Sequence, residues 1–198
     1  MEENRLRKLT YFIAASVDGF MADPDGDGDF FNDYLDPEYL GYLTTEYPET
    51  LPTHAHEMFG VDISTARRFD AVVMGRGTYD PALKAGVTSP YAHLKQYVAT
   101  RSIAVTPDPA VELISGDVAA RVRELKARDG LGIYLCGGAD LAAQLVEEID
   151  EFVIKTYPVL TGSGMPLTRA GFARRDLELT GVRTFGGGQV VTTYARGR

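Results

Sequence analysis

The chain has a single cysteine, Cys136, and no tryptophan. A lone thiol excludes an intrachain disulfide and a four-cysteine zinc site. Histidine is scarce too. His54 and His56 sit close together, but His54-Ala55-His56-Glu57 is not the H-E-x-x-H pattern of a zinc helix, and His93 is the third and last. No metal is expected. Basic charge is in deficit, with 20 Lys and Arg against 28 Asp and Glu and a net charge of −8. That balance argues against a partner made of nucleic acid or an anionic membrane. Long apolar runs are missing. The first one, Leu9 to Ala15, is too short to span a bilayer, and charges flank it too closely for a signal peptide. Cytoplasm is the expected location.

The common nucleotide and hydrolase fingerprints are absent as well. G-x-G-x-x-G fails at Gly75-x-Gly77, where Asp80 stands at the third glycine, and at Gly162-x-Gly164, where Leu167 does. Neither a P-loop nor a G-x-S-x-G elbow occurs. Cys136 ends an apolar strand with no histidine near it in sequence, so it reads as core packing rather than as an activated thiolate.

What remains is a set of strand–glycine–helix junctions. The clearest is Gly132 to Glu147, GIYLCGGADLAAQLVE. Ile133 to Cys136 form a buried strand, Gly137-Gly138 turn it, and a helix opens at Ala139 or Asp140. Leu141, Leu145 and Ile149 mark the inner face of that helix. Such a junction presents free N–H groups and a positive dipole end, which suits a phosphate. A plain turn without ligand fits the motif equally well. Phe69 to Met74 is a second strand. It runs into Gly75-Arg76-Gly77-Thr78, where a cation and a hydroxyl precede a helix reaching Leu83. A third strand, Gln96 to Thr100, ends in Thr100-Arg101-Ser102 and could hold another phosphate.

The remaining elements frame these junctions. Leu9 to Ala15 reads as the first strand, turned at Gly19. Asp23 to Asp29, DPDGDGD, resembles the start of a calcium loop, but Tyr34 stands where the closing glutamate belongs. A surface turn is the simpler reading; a calcium-stabilised interaction domain is the alternative. Residues 30–69 hold a helix at Pro37 to Tyr47 with Asp36 as N-cap, and a short helix between Asp62 and Phe69. Val111 to Ile114 is a strand, Asp117 to Asp129 a helix, and Asp150 to Val159 a strand with Lys155 as its one charged interior residue. Leu160 to Pro166 reads as a loop. The tail alternates through Leu177, Leu179, Val182 and Val190 to Tyr194 around Gly186-Gly187-Gly188, an antiparallel hairpin. The expected fold is α/β: one domain over residues 1–198, with a mixed, mostly parallel sheet flanked by helices and a C-terminal antiparallel hairpin.

In order and in wording these segments resemble the dihydrofolate reductase superfamily. They are most similar to the reductase domain of the bacterial bifunctional riboflavin-biosynthesis deaminase-reductase and its stand-alone relatives. The likeness rests on IAASVDGFMA (Ile13 to Ala22), DAVVMGRGTYD (Asp70 to Asp80), YVATRS (Tyr97 to Ser102), IYLCGGADLAAQL (Ile133 to Leu145) and EFVIKTYPVLTGSGMPL (Glu151 to Leu167). Residues 30–69 do not follow the family pattern and read as an insertion near the substrate mouth.

The resemblance implies an NADPH-dependent reductase acting on a small heterocycle. A substrate such as 5-amino-6-(5-phosphoribosylamino)uracil, or a pterin, would fit. It implies Ala15 and Met21 beside the nicotinamide, and Gly75, Arg76 and Thr78 on phosphate. Gly137, Gly138, Ala139 and Asp140 would hold the pyrophosphate, with a cis peptide between the two glycines. Thr100, Arg101 and Ser102 would read the 2′-phosphate, and a homodimer is implied as well. Dihydrofolate reductases carry a helix-borne carboxylate near the substrate ring; Asp29 is the candidate here, with Asp33 beside it. A non-catalytic nucleotide-binding protein is the remaining alternative.

Overall fold

The computed structural model describes residues 6–197. Eight strands form one sheet: β1 (Leu9–Ser16), β3 (Phe69–Gly75), β4 (Lys95–Ala99), β5 (Val111–Ile114), β6 (Gly132–Gly137), β7 (Glu151–Tyr157), β9 (Leu177–Thr184) and β10 (Val190–Arg196). Their order is β5-β4-β3-β6-β1-β7-β10-β9. Pairings from β5 to β7 are parallel, and β10 is antiparallel to both β7 and β9. Two short strands, β2 (Phe20–Ala22) and β8 (Met165–Pro166), pair with each other beside it. The mostly parallel sheet with a C-terminal hairpin is the expected α/β fold.

The central strands are apolar because both faces are covered. On one face Phe12, Val72, Met74, Val98 and Tyr134 are buried. Over them pack α1 (Pro37–Glu46) and α3 (Arg76–Lys84), through Tyr39, Leu43 and Tyr79. On the other face Tyr11, Val73, Ile133 and Leu135 meet α4 (Val118–Lys126) and α5 (Ala139–Gln144).

Residues 30–69 are built into the core. Asp36 caps α1 by accepting from the Tyr39 amide, with proline in the first turn. Tyr39 is fully buried, and its hydroxyl lies 3.0 Å from that of Tyr157. Phe31 packs on Tyr157, and Tyr47 on Phe12. A one-turn helix, α2 (His56–Phe59), follows.

Three expectations are corrected. Between Asp62 and Phe69 there is only a 3-10 turn, Ile63–Thr65. The Asp62 carboxylate binds the Ser64 amide and hydroxyl, and buried Glu49 takes the amides of Arg67 and Arg68, so those groups cannot enter a helical ladder. The helix after the glycine pair ends at Gln144; Leu145 and Ile149 keep the inward spacing but sit in turns. The loop Leu160 to Pro166 contains β8, hidden in sequence by Gly162, Gly164 and Pro166.

Candidate functional site

The strand ends at one edge of the sheet converge on a cleft of about 750 Å³. Glycine makes the convergence close. A Cβ on Gly75 would lie 3.5 Å from the Gly137 carbonyl oxygen and 3.6 Å from the Gly138 amide nitrogen, so the first two junctions pack directly together. A Cβ on Gly138 would point at Met21, 3.3 Å from its Cε, with the Thr78 hydroxyl 3.8 Å away. Gly137 has φ +122°, a conformation that favours glycine, and the Gly137–Gly138 peptide is cis.

Both helix starts here are left open. α3 begins after Gly75 and α5 after Gly138, and no side chain caps either one. Their first N–H groups are therefore free to meet an acceptor from outside the chain. α4 differs, because Asp117 caps it through the Ala120 amide. Arg76 links two junctions. Its guanidinium pairs with Asp80 at 3.2 Å and donates to the Ser102 hydroxyl in the loop after β4. The Thr100 hydroxyl is turned inward, accepting from the amides of Ser102 and Ile103, and so shapes the loop that carries Arg101. Arg101 is exposed on the cleft and makes no ion pair among the described residues.

Of the residues expected to hold a cofactor, Met21, Gly75, Arg76, Thr78, Thr100, Arg101, Ser102, Gly137, Gly138, Ala139 and Asp140 all line this cleft. Asp140 is paired with Arg169 at 3.0 Å. Ala15 does not line it. That residue is buried, and Ile13, two positions earlier on the same strand face, takes the place at the cleft. Asp29 also lies outside the lining. It is exposed, its amide donates to Asp27 Oδ1, and Asn32 approaches its carboxylate at 3.4 Å. The Asp23 carboxylate accepts from the amides of Asp25 and Asp27. Among the described residues no group of three His, Cys, Asp or Glu is arranged to hold a metal.

Ser115-Gly116 and Met165 are among the lining residues that escaped the sequence reading. Ser115-Gly116, between β5 and α4, lines the cleft as a further strand–glycine–helix junction. The same signature could have found it. Met165 reaches the cleft because β8 pairs with β2, with Ala22 opposite Met165. Cys136 lies on the cleft floor, 3.4 Å from the Tyr91 hydroxyl. Burial raises its thiol, which keeps it protonated and suits a packing role. Asp18 fixes the turn after β1, accepting from Ser16 Oγ at 2.6 Å and from the Gly162 amide at 2.7 Å. Those bonds, the one from Ser16 first, hold its carboxyl down at about 2.

The family model of the RibD C-terminal domain matches residues 7–191. The chain belongs to that family. The family is reductase-like, which supports an oxidoreductase. The RibD-type chain is 31% identical to the uncharacterized protein YwjB of Bacillus subtilis (strain 168), over 91% of this chain and 93% of YwjB. A Shewanella sp. PV-4 protein, provisionally named for riboflavin biosynthesis, superposes with a TM-score of 0.75. It is 25% identical, and the match covers 96% of this chain and 99% of that one. Dihydrofolate reductase from Enterococcus faecalis, solved with NADP(H), shares the fold at a TM-score of 0.64 and 12% identity, over 96% of this chain and 97% of that one. No helix among the described residues is long and apolar enough to cross a membrane.

Proposed function

We propose that the protein is a cytoplasmic NADPH-dependent reductase of a small heterocycle. A substrate of the 5-amino-6-(5-phosphoribosylamino)uracil type fits best, with a pterin as the neighbouring choice. One observation carries the reading: Gly75 to Thr78, Gly137-Gly138 and Thr100 to Ser102, distant in sequence, line a single cleft. Its donors are backbone N–H groups, hydroxyls and arginines, the set that phosphate oxygens take. The missing Cβ atoms leave room for a ligand to approach the backbone closely.

When bound, the dinucleotide supplies a hydride equivalent. The chain's own residues bind and orient. The open N-terminus of α3, with Arg76 and Thr78, takes one phosphate, and the Gly137-Gly138 backbone with the start of α5 takes the next. Arg101, without a carboxylate partner among the described residues, reads a 2′-phosphate, while Ser102 is steadied by Arg76. Ile13 and Met21 form the apolar wall of the cleft. A second reading, nucleotide binding without turnover, is favoured by the exposed place of Asp29 away from the lining. We also propose a homodimer, through the hairpin face that exposes Leu177, Leu179 and Val182.

Titration with NADPH and NADH, followed by fluorescence and thermal shift, tests the proposal. Binding of NADPH with weaker binding of NADH is expected. Failure of both to bind would overturn the reductase reading and the binding-only reading together.

A further inference from the structure

Lys155 is a charged residue on the floor of the sheet that the cleft chemistry above does not use. It lies on β7, opposite Ala14 of β1 on one side and Val191 of β10 on the other. Its side chain reaches across β1, placing the ammonium 4.2 Å from the ring centroid of Phe12. Cys136 of β6 is close enough to act on it electrostatically, and Cys136 lines the cleft. The ammonium therefore lies on the face covered by residues 30–69, behind the cleft lining, which it approaches through Cys136.

This ammonium has no anion among the described residues. Among the described residues Lys8 pairs with Glu151 and Lys126 with Asp150, whereas Lys155 meets no carboxylate within 4.0 Å and donates no hydrogen bond. Its register partners are Ala14 of β1 and Val191 of β10, the Phe12 ring lies under it with the neutral Tyr47 of the covering segment packed on that ring, and Cys136 of β6 is its electrostatic neighbour. Behind Cys136 stand the hydroxyls of Tyr91 and Tyr134. Burial raises that thiol and both phenols, so none of them supplies a negative charge at neutral pH. Desolvation accordingly pulls the lysine down to about 8. An unpaired ammonium here weakens the fold, and methionine would fill the same space. Its place beside the cleft supplies a reason to keep it.

Resting on the reductase reading above, we propose that Lys155 is the proton donor of the reaction. Its ammonium hydrogen-bonds the heteroatom of a C=N or C=O bond in an electron-rich, uracil-type substrate and protonates it. With an imine substrate, hydride and proton come from separate donors. The carbon receives the hydride pair from the reduced nicotinamide and a C–H bond forms. The C=N π pair moves to nitrogen, which takes a proton as one ammonium N–H bond breaks. Lys155 is left as a neutral amine and is reprotonated from water. An ammonium that loses its proton near neutral pH suits this work, since the best general acids titrate near the working pH.

The test uses the intact protein with NADPH and 5-amino-6-(5-phosphoribosylamino)uracil, comparing Lys155→Met and Lys155→Arg with the parent. Lys155→Met is expected to lower kcat by about 100-fold or more, the range of a lost general acid. NADPH affinity should stay unchanged, which separates this inference from the binding proposal. Lys155→Arg keeps the charge but holds its proton, so it should restore KM without kcat. The parent's kcat should fall as pH rises through about 8, and the residual rate of Lys155→Met should lack that limb. Reductive ¹³C-methylation gives a readout free of turnover: the Lys155 resonance should shift when the pyrimidine is added. Normal kcat in Lys155→Met, recovery of kcat by arginine, or an unmoved resonance at saturating pyrimidine would each overturn the assignment. So would intact NADPH binding with no binding of the pyrimidine.

Discussion

Among the described residues Arg101 and Lys155 are both cations without carboxylate partners, and burial separates their roles. Arg101 is exposed at the rim, where a guanidinium costs little and can fork onto a phosphate. Arg101→Ala should weaken NADPH by about tenfold or more, in line with loss of a charge-assisted contact, and leave NADH nearly untouched. Parallel fluorescence titrations check this; equal weakening of both would remove the 2′-phosphate from Arg101. Lys155 is half-buried, and its cost should be visible in stability. Its ammonium titrates near 8 when folded and near 10.5 when unfolded. Between those values the unfolded chain binds the proton and the folded one does not, so this group makes stability rise with pH. At pH 7 Lys155→Met should therefore be the more stable protein, by up to about 3 kcal/mol, with the gap closing by pH 10. Urea unfolding at both pH values decides it. Asp18 has the opposite sense. Its carboxyl is held at about 2, below its ordinary 3.8, so its contribution is present above pH 4 and fades as pH falls through 2. Asp18→Asn should lower the melting temperature at pH 7, by less as the pH approaches 2, and make no difference well below it.

At the level of elements, Glu49 joins the segment 30–69 to the sheet. It is fully buried, and its Oε1 accepts from the amides of Arg67 at 2.6 Å, Arg68 at 2.7 Å and Phe69 at 3.4 Å. Glu49→Ala would strip the acceptor from the amides that lead into β3. A loss of about 3 kcal/mol in urea unfolding is expected, with Glu49→Gln recovering part of it through its carbonyl. Nothing local in the sequence marks this residue, because its partners lie 18 to 20 positions away. The same property explains which elements were legible. β3, β5, β6 and α1 declare themselves by apolar runs, glycine punctuation and the Asp36–Pro37 cap, all local signals. The cleft was legible for a similar reason, since its junctions repeat one pattern and the family wording fixes their order. Leu145 and Ile149 show the limit: their spacing reported burial, which turns satisfy as well as a helix does. β8 and the inward turn of the Thr100 hydroxyl depend on long-range pairing or on one loop's closure, and periodicity carries neither.

For the whole molecule, the sheet is covered unevenly. α4 and α5 bury the face formed by β3, β6 and β1, whereas among the described residues the hairpin strands β9 and β10 add none to that buried cluster. There the register lines up Phe152 and Ile154 of β7, Tyr194 and Thr192 of β10, and Leu179 and Val182 of β9. Leu177, Leu179 and Val182 are 40%, 54% and 57% exposed, and an apolar hollow of about 200 Å³ lined by Tyr11, Phe152, Ile154 and Leu177 opens beside them. A contiguous apolar patch on a chain with net charge −8 invites a partner, whereas scattered apolar residues would not. Under the homodimer proposed above, two copies of this face meet about a two-fold axis, each patch covering its own equivalent. Val182→Asp places a charge in the middle of it and should convert the dimer to a monomer, read by light scattering across micromolar concentrations. NADPH binding should persist in that variant, because β9 contributes no residue to the cleft. A parent protein that is monomeric throughout that range would remove the second copy as the occupant of this face. Loss of NADPH binding on dissociation would show instead that the cleft depends on the assembled form.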